Sequence, residues 1–342
     1  MIEIDGSYGE GGGQLLRMAV ALSALTKKEV RVFNIRAGRP NPGLAPQHLA
    51  AVKGVATISN AEIGGALAGS KELIFHPGTI RGGRYKIDVG TAGSITLVMQ
   101  ACLLPSSLAE AETVLEISGG TNVKWSPSID YYKLVFLPLL EKIGIKAKLS
   151  IVSRGFYPEG GGRVVVEVTP TSKFKPLHLD DRGTLSEISG ICFSQNLPEH
   201  ISRRMALSAK KALIDISDAK ILTESSTGIS TGAGICIAAN FENTVLGSDT
   251  LGERGVPAEA VGLEAARNLK EEINGMGTLD IHAADQILAY LALSEDRSQF
   301  FVKNITKHLE TQIWLIEKFT GARFQLQKTQ NRWKVTVVPN RT

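Results

Sequence analysis

The feature that most constrains this chain is alternation. Short runs of β-branched and apolar residues trade places with longer helix-like stretches along its whole length, and glycine-rich loops mark many of the joints. Residues 1–5 read as a strand, 14–26 as an apolar helix, 29–35 as a strand and 47–59 as a helix beyond a Pro/Gly loop at 37–46. Strands at 71–75 and 84–89, a helix at 92–106, a strand at 113–118, a helix at 129–143 and a strand pair at 145–153 and 163–169 follow. A strand-then-helix rhythm of this kind predicts a mixed α/β (α+β) architecture rather than a bundle, sandwich or fibre. Hydrophobic residues make up 43% of the 342, enough for two separate cores.

Residues 182–276 break the rhythm. A strand at 184–194 leads into a basic amphipathic helix at 198–215, three strands at 219–225, 233–242 and 244–249, and a helix from Pro257 to Asn274. Proline in the first turn and Gly275 past the end bound that helix. A helix at 278–293, a strand near 299–305, a helix at 307–320 stopped by Gly321 and a strand at 332–338 then resume the earlier pattern. The expected organisation is a repeat domain formed by residues 1–181 plus 277–342, with 182–276 inserted as a smaller unit. An echo of EGGG at Glu10–Gly13 and Glu159–Gly162, with GTAGS at Gly90–Ser94, suggests an internal repeat.

Charge narrows the partners. The formal net charge of +4 is too small to predict wrapping of duplex nucleic acid, and no DNA duplex binding is expected. The balance is uneven, however. Residues 1–53 hold seven cations (Arg17, Lys27, Lys28, Arg31, Arg36, Arg39, Lys53) against four anions (Glu3, Asp5, Glu10, Glu29), which suggests a local anionic ligand or a solvated basic surface. Cys102, Cys192 and Cys236 lie far apart in apolar runs without metal-ligand spacing, so free buried thiols are expected. No apolar run reaches transmembrane length and no leader-like segment opens the chain, so a cytoplasmic protein without membrane association is expected.

Three stretches could carry chemistry. In DGSYGEGGGQLLR (residues 5–17), consecutive glycines opening a helix let backbone amides approach an anion at the positive end of the helix dipole. The stretch matches neither the dinucleotide-binding nor the phosphate-loop pattern. Glu10 is placed to hold a divalent cation, while Arg17 lies one turn into the apolar helix, a costly site for an unpaired charge. A glycine turn with a surface Glu10 and a snorkelling Arg17 is the plain alternative. In IRAGRPNPGLAPQHL (35–49), Arg36 and Arg39 could grip phosphate, or could simply line an exposed loop. Of six histidines, His76, His178 and His200 lack partners nearby in sequence, whereas His48 and His308 sit at helix starts and His282 lies three residues before the Asp285–Gln286 pair. Thr306 reads as an N-cap, which puts His308 in a first helical turn where the dipole keeps the imidazole neutral and nucleophilic and welcomes an attached phosphate.

Together, GEGGGQLLR, RPNPGL with QHL, GTAGSITLVMQ, NVKWSPSIDY, RGFYPEGGG, HAADQ and HLETQ resemble, in order and over nearly the whole chain, the RNA 3′-terminal phosphate cyclase family. The resemblance implies three βαβαββ-type repeats, related to those of enolpyruvyl transferases, with an inserted four-stranded, two-helix module. It also implies ATP-dependent conversion of an RNA 3′-phosphate to a 2′,3′-cyclic phosphodiester through a covalent histidine–AMP. By that resemblance His308 is the nucleophile, and Gln100, Pro127, His282, Asp285 and Gln286 contact the nucleotide. Glu10 would be a ligand of Mg²⁺ or Mn²⁺, and Arg17, Arg36, Arg39 and His48 would meet phosphates of ATP or the RNA end. Two departures stand out: Ala45 replaces a common arginine, and His282 a common tyrosine. A non-catalytic, cyclase-like scaffold of ribosome assembly would share the fold but lack the nucleophile. An enolpyruvyl transferase would share the repeats but need neither HAADQ nor HLETQ.

Overall fold

The computed structural model describes residues 1–340. Three units of the body repeat one topology. The first runs β1 (Ile2–Asp5), α1 (Gly13–Thr26), β2 (Val30–Phe33), α2 (Pro46–Ser59), β3 (Glu62–Gly64) and β4 (Leu73–His76), with sheet order β1-β2-β4-β3. The second runs β5 (Gly83–Asp88), α3 (Ile95–Ser106), β6 (Thr113–Gly119), a long helix, β7 (Lys146–Ser153) and β8 (Gly162–Thr169), with the same order, β5-β6-β8-β7. That helix is composite: α4 (Ile129–Tyr131), a π turn (Tyr132–Phe136) and α5 (Leu137–Lys142). Each unit pairs its first two strands in parallel across a helix and closes with an antiparallel hairpin.

The smaller unit follows the second: β9 (Leu185–Gln195), α6 (His200–Leu213), β10 (Lys220–Ser226), β11 (Gly232–Phe241), β12 (Val245–Leu251) and α7 (Ala258–Asn274). Its sheet order is β10-β9-β11-β12, and α6 and α7 cover one face over a core of their own. The chain then forms α8 (Ile281–Ala292), β13 (Ser298–Val302), α9 (Lys307–Thr320), β14 (Arg323–Lys328) and β15 (Trp333–Val338). In this third sheet, β13-β15-β14, the place of a first strand is taken by the segment around His178. It runs parallel to β13, with Gln299 N donating to Leu177 O at 2.7 Å and Leu179 N to Gln299 O at 2.9 Å. The third βαβαββ unit is thus interrupted between its first strand and its first helix. The mixed α/β class, the three repeats and the four-stranded, two-helix module agree with the sequence expectation.

Period-2 patterning makes the strands. In β8, Val164, Val166 and Val168 are buried while Arg163, Glu167 and Thr169 face water. Helix α1 is instead buried nearly all round, from Leu15 to Ala24, as an apolar helix must be at the centre of a fold. It packs on α2, α3 and α9. Two strands escaped the sequence reading. β3 offers one apolar residue, Ile63, at a sheet edge, and β14 (RFQLQK) is an exposed polar edge strand. The helix expected over 129–143 is present but widened. Pro138 has no N–H for the carbonyl one turn back, and the π turn lies just before it.

The expected EGGG echo is corrected. Glu159–Gly162 falls in the β7–β8 hairpin, whereas Glu10–Gly13 opens α1. GTAGS, between β5 and α3, is the true topological counterpart of the first glycine loop. The three cysteines are buried free thiols, as expected. Among the described residues no helix is long and apolar enough to cross a membrane.

Candidate active site

The starts of α1, α8 and α9 meet beside one another, and the glycine loop is pressed onto α9 there. Gly9 and Gly11 adopt φ of 62° and 57°, which glycine tolerates without strain. A β-carbon at Gly9 would lie 2.3 Å from Thr311 Oγ1, so the loop backbone rests directly on the helix. Tyr8 stacks on Trp314 with ring centroids 3.9 Å apart and planes 14° from parallel. This contact delivers Glu10 and Gln14 to His308. Glu10 Oε2 lies 3.0 Å from His308 Nε2, and Gln14 Oε1 lies 2.7 Å from His308 Nδ1. The Thr306 hydroxyl accepts from Leu309 N at 3.0 Å, which confirms the cap and places His308 in the first turn of α9. Burial pushes the His308 pKa down, with His282, Arg17 and Arg39 adding and Glu10 opposing.

Cations surround this half-exposed imidazole. Arg17 is 5% exposed and donates to Gln100 Oε1 at 3.2 Å. Its Nε has no partner, and no carboxylate pairs with it among the described residues. Burial pushes its pKa down to about 10, so it remains charged at neutral pH. A buried cation without a counter-charge is costly, and an anionic ligand would relieve that cost. Arg39 donates to the Glu10 carbonyl at 3.3 Å. Arg36, at φ 54°, donates to the Gly43 carbonyl at 2.9 Å.

His48 is buried against the backbone of the glycine loop. A β-carbon on Gly13 would stand 1.8 Å from His48 Nε2, so only glycine fits there. His48 Nδ1 accepts from Ala45 N at 3.3 Å, which fixes a neutral ring. Burial, with Arg17 and Arg36 nearby, pushes its pKa down to about 3.

Helix α8 supplies the opposite wall. Asp280 caps it, its Oδ1 accepting from His282 N and Ala283 N, while its Oδ2 accepts from Gly247 N of β12. The π turn lets consecutive tyrosines reach this helix. Tyr131 OH donates to Asp280 Oδ1 and Tyr132 OH to Gln286 Oε1, each at 2.5 Å. Gln286 Nε2 donates to the His282 carbonyl, and His282 meets the edge of Tyr131 at 6.4 Å between centroids. Asp285 accepts from the Thr306 hydroxyl at 2.9 Å. Burial raises its pKa to about 8, Asp280 and Glu10 adding to the effect, so it carries a proton near neutral pH. Pro127 is half-buried, its carbonyl accepting from Thr96 Oγ1 at 2.8 Å, and Ser128 N next to it donates to Asp249 Oδ2.

Direct contacts therefore join Glu10, Arg39 and His308, Arg17 and Gln100, and His282 and Gln286. His48 borders the loop that carries Glu10, Asp285 touches the cap of α9, and Arg36 and Pro127 sit on adjoining loops. The sequence reading assigned no role to Gln14, Thr306's bond to Asp285, Asp280 or Tyr132. Gln14 had a signal, since it follows Glu10 by four residues in the glycine stretch; the tyrosines had none.

Comparison with known proteins fits this arrangement. The profile of the RNA 3′-terminal phosphate cyclase family matches residues 8–326. An RNA 3′-terminal phosphate cyclase of Nitrosospira multiformis is 48% identical, over 99% of this chain and 97% of its own length. Proteins of that name from Pyrobaculum aerophilum and Pyrococcus furiosus are 42% and 44% identical, covering 98% and 96% of this chain and 97% and 95% of theirs. The chain belongs to the RNA 3′-terminal phosphate cyclase family.

Proposed function

We propose that this enzyme converts an RNA 3′-phosphate to a 2′,3′-cyclic phosphodiester at the expense of ATP, through AMP carried on His308. The observation that carries the reading is the imidazole at the start of α9, held on both ring nitrogens by Gln14 and Glu10 beside the unpaired Arg17. With Nδ1–H donating to Gln14 Oε1, transfer to Glu10 of the proton shared at Nε2 leaves a neutral ring whose Nε2 lone pair is the nucleophile. That nitrogen forms a bond to the α-phosphorus of ATP and pyrophosphate leaves. An oxygen of the RNA 3′-phosphate then takes the AMP, breaking the N–P bond. Finally the vicinal 2′-oxygen attacks the 3′-phosphorus and displaces AMP, an intramolecular closure favoured by proximity and open only to a sugar with a 2′-hydroxyl.

Arg17, Arg36 and Arg39 serve the phosphates, and His48 holds the glycine loop among them. Gln100, Pro127, His282, Asp285 and Gln286 take the nucleoside, with His282 offering a ring face but no phenol. Glu10 is a hard oxygen donor beside His308, and the described residues include no group of three potential metal ligands. One carboxylate plus substrate phosphates and water suits Mg²⁺ or Mn²⁺, which when bound would neutralise phosphate charge. We further infer that residues 1–181 and 277–342 form the catalytic unit and 182–276 an inserted domain, a division supported by the second, separate core.

The test is incubation with a divalent cation and ATP labelled at the α-phosphate, then denaturing separation. An acid-labile, alkali-stable adduct is expected, lost in His308→Ala. Full labelling of that variant sinks the reading. Discharge onto RNA with a 3′-phosphate, but not a 3′-hydroxyl, separates cyclisation from general adenylation and from a non-catalytic scaffold.

A further inference from the structure

The loop between β6 and α4 carries Trp125, which is 95% exposed and held at φ 67°. A bulky residue in the left-handed region is uncommon and costs free energy, so something must hold it there. The loop around it is pinned at several points. Thr121 N and Asn122 N both donate to the Gly155 carbonyl, Ile129 N to the Thr121 carbonyl, and Ser128 N to Asp249. Ser126 Oγ bonds the Val123 carbonyl, and Lys124 pairs with Glu253 at 2.7 Å. The indole is therefore presented on a rigid support rather than swinging on a loose tip.

Beside it lies a cleft of about 490 Å³, walled by this loop on one side and by β12 and α7 of the inserted module on the other. Its polar lining includes Asp249, Thr250, Glu253, Glu264 and Asn268. The charge content of the lining is three carboxylates against one cation, Lys124, which Glu253 already neutralises. Such a surface repels phosphate. It suits a flat, uncharged group that stacks on an indole and trades hydrogen bonds with side-chain acceptors and amides. A nucleobase has that chemistry. The cleft also adjoins the proposed active site. Asp249, which lines it, bonds the backbone next to Pro127 and interacts through space with His282.

We propose that Trp125 and the cleft between the β6–α4 loop and α7 form a base-stacking subsite for the acceptor RNA strand. This inference rests on the cyclase reading above, and it gives the inserted module a part in holding substrate.

Tryptophan emission tests it directly, since the protein has two other tryptophans, Trp314 and Trp333, as internal references. Titration with a short 3′-phosphorylated oligoribonucleotide should quench emission of the native protein. That quench should vanish in Trp125→Ala and weaken in the native protein with an oligonucleotide abasic at its last positions. The RNA concentration that half-saturates discharge of already AMP-labelled protein should rise about ten-fold in Trp125→Ala and under three-fold in Trp125→Phe, the span expected for one lost stack. Equal quenching in native protein and Trp125→Ala, or quenching of Trp125 by ATP alone, overturns the subsite. An oligonucleotide that quenches Trp125 but never discharges labelled protein overturns the cyclase reading and leaves the subsite standing.

Discussion

His48 and Asp285 are two buried titratable groups whose pH linkages run in opposite directions. His48 is held neutral, with its pKa near 3, whereas the unfolded chain protonates near the ordinary histidine value. Below that value the unfolded state binds the extra proton, so the His48 contribution to stability is lost as pH falls. Asp285 is held protonated up to about pH 8, while the unfolded carboxyl ionises near 4. Its contribution is lost as pH rises from about 4 to about 8. Each pH unit in either window is worth about 1.4 kcal/mol. Between about pH 4 and 6.5 the two slopes oppose one another, and from about 6.5 to 8 Asp285 acts alone. Asp285→Asn mimics the neutral acid, so its stability relative to wild type should improve by about 2 kcal/mol between pH 6.5 and pH 8. His48→Gln should gain a comparable amount between pH 6.5 and pH 5. Urea midpoints at the three pH values check both, and variant-minus-native differences that do not change with pH would refute the assignments. Little of this was legible from sequence. The cap at Thr306 put His308 in a first turn from local pattern alone. Its partners Gln14 and Glu10 lie nearly the length of the chain away, and the burial of His48 depends on Gly13 having no side chain.

One contact between elements sets the geometry of the site: the glycine loop lying on α9. Stacking of Tyr8 on Trp314 and the seat of Gly9 against Thr311 fix the loop immediately before Glu10. Gly9→Ala adds a methyl 2.3 Å from Thr311 Oγ1 at a backbone φ of 62° that alanine resists. Self-labelling from ATP should fall at least ten-fold. Thr311→Ala removes the clashing oxygen and should restore part of that loss in the double variant, the strain at φ remaining. Tyr8→Ala should slow labelling by a similar factor, while Tyr8→Phe keeps the stacked ring and should label almost normally. A Tyr8→Ala protein that labels at the native rate would show that Gly9 alone holds the loop. Most elements were legible from hydrophobic period, because α1, α9 and the paired strands each bury a continuous face. The edges were not: β3 and β14 bury too little to leave a pattern. The EGGG echo also misled, since identical glycine runs serve a helix entry in one unit and a hairpin turn in the next. Topology, through GTAGS, identifies the equivalent position instead.

At the scale of the molecule, the inserted module is bolted to the body close to the site rather than tethered at its chain crossings alone. Arg154, between β7 and β8, forks to Asp130 at 2.6 and 3.0 Å and to Glu224 of β10 at 2.6 and 3.2 Å. Its guanidinium also lies 4.3 Å from the ring centroid of Phe193 in β9. Arg154 and Asp130 are almost fully buried, and Gln195 of β9 donates to the Arg154 carbonyl. Around them Ser230 bonds the Gly160 carbonyl and Phe156 N, and Gly247 N reaches Asp280. The module was visible in the sequence as a change of element order. This junction was not, because its members stand 24 and 70 residues apart and read singly as ordinary charges. Arg154→Ala leaves Asp130 buried without a counter-charge, which costs about 3–5 kcal/mol where a buried pair is broken on one side. The cost should show as a lower urea midpoint. Adding Asp130→Asn removes the stranded charge, so the double variant should be more stable than Arg154→Ala alone, while Glu224→Gln, half-exposed, should lose far less. A single Arg154→Ala loss under about 1 kcal/mol would mean that neither the ion pair nor the guanidinium's contact with Phe193 carries the junction, which would then rest on the hydrogen bonds around Ser230 and Asp280. The expected larger loss ties the module's anchorage to Asp130, three residues from Pro127, and so to the wall of the proposed nucleotide site.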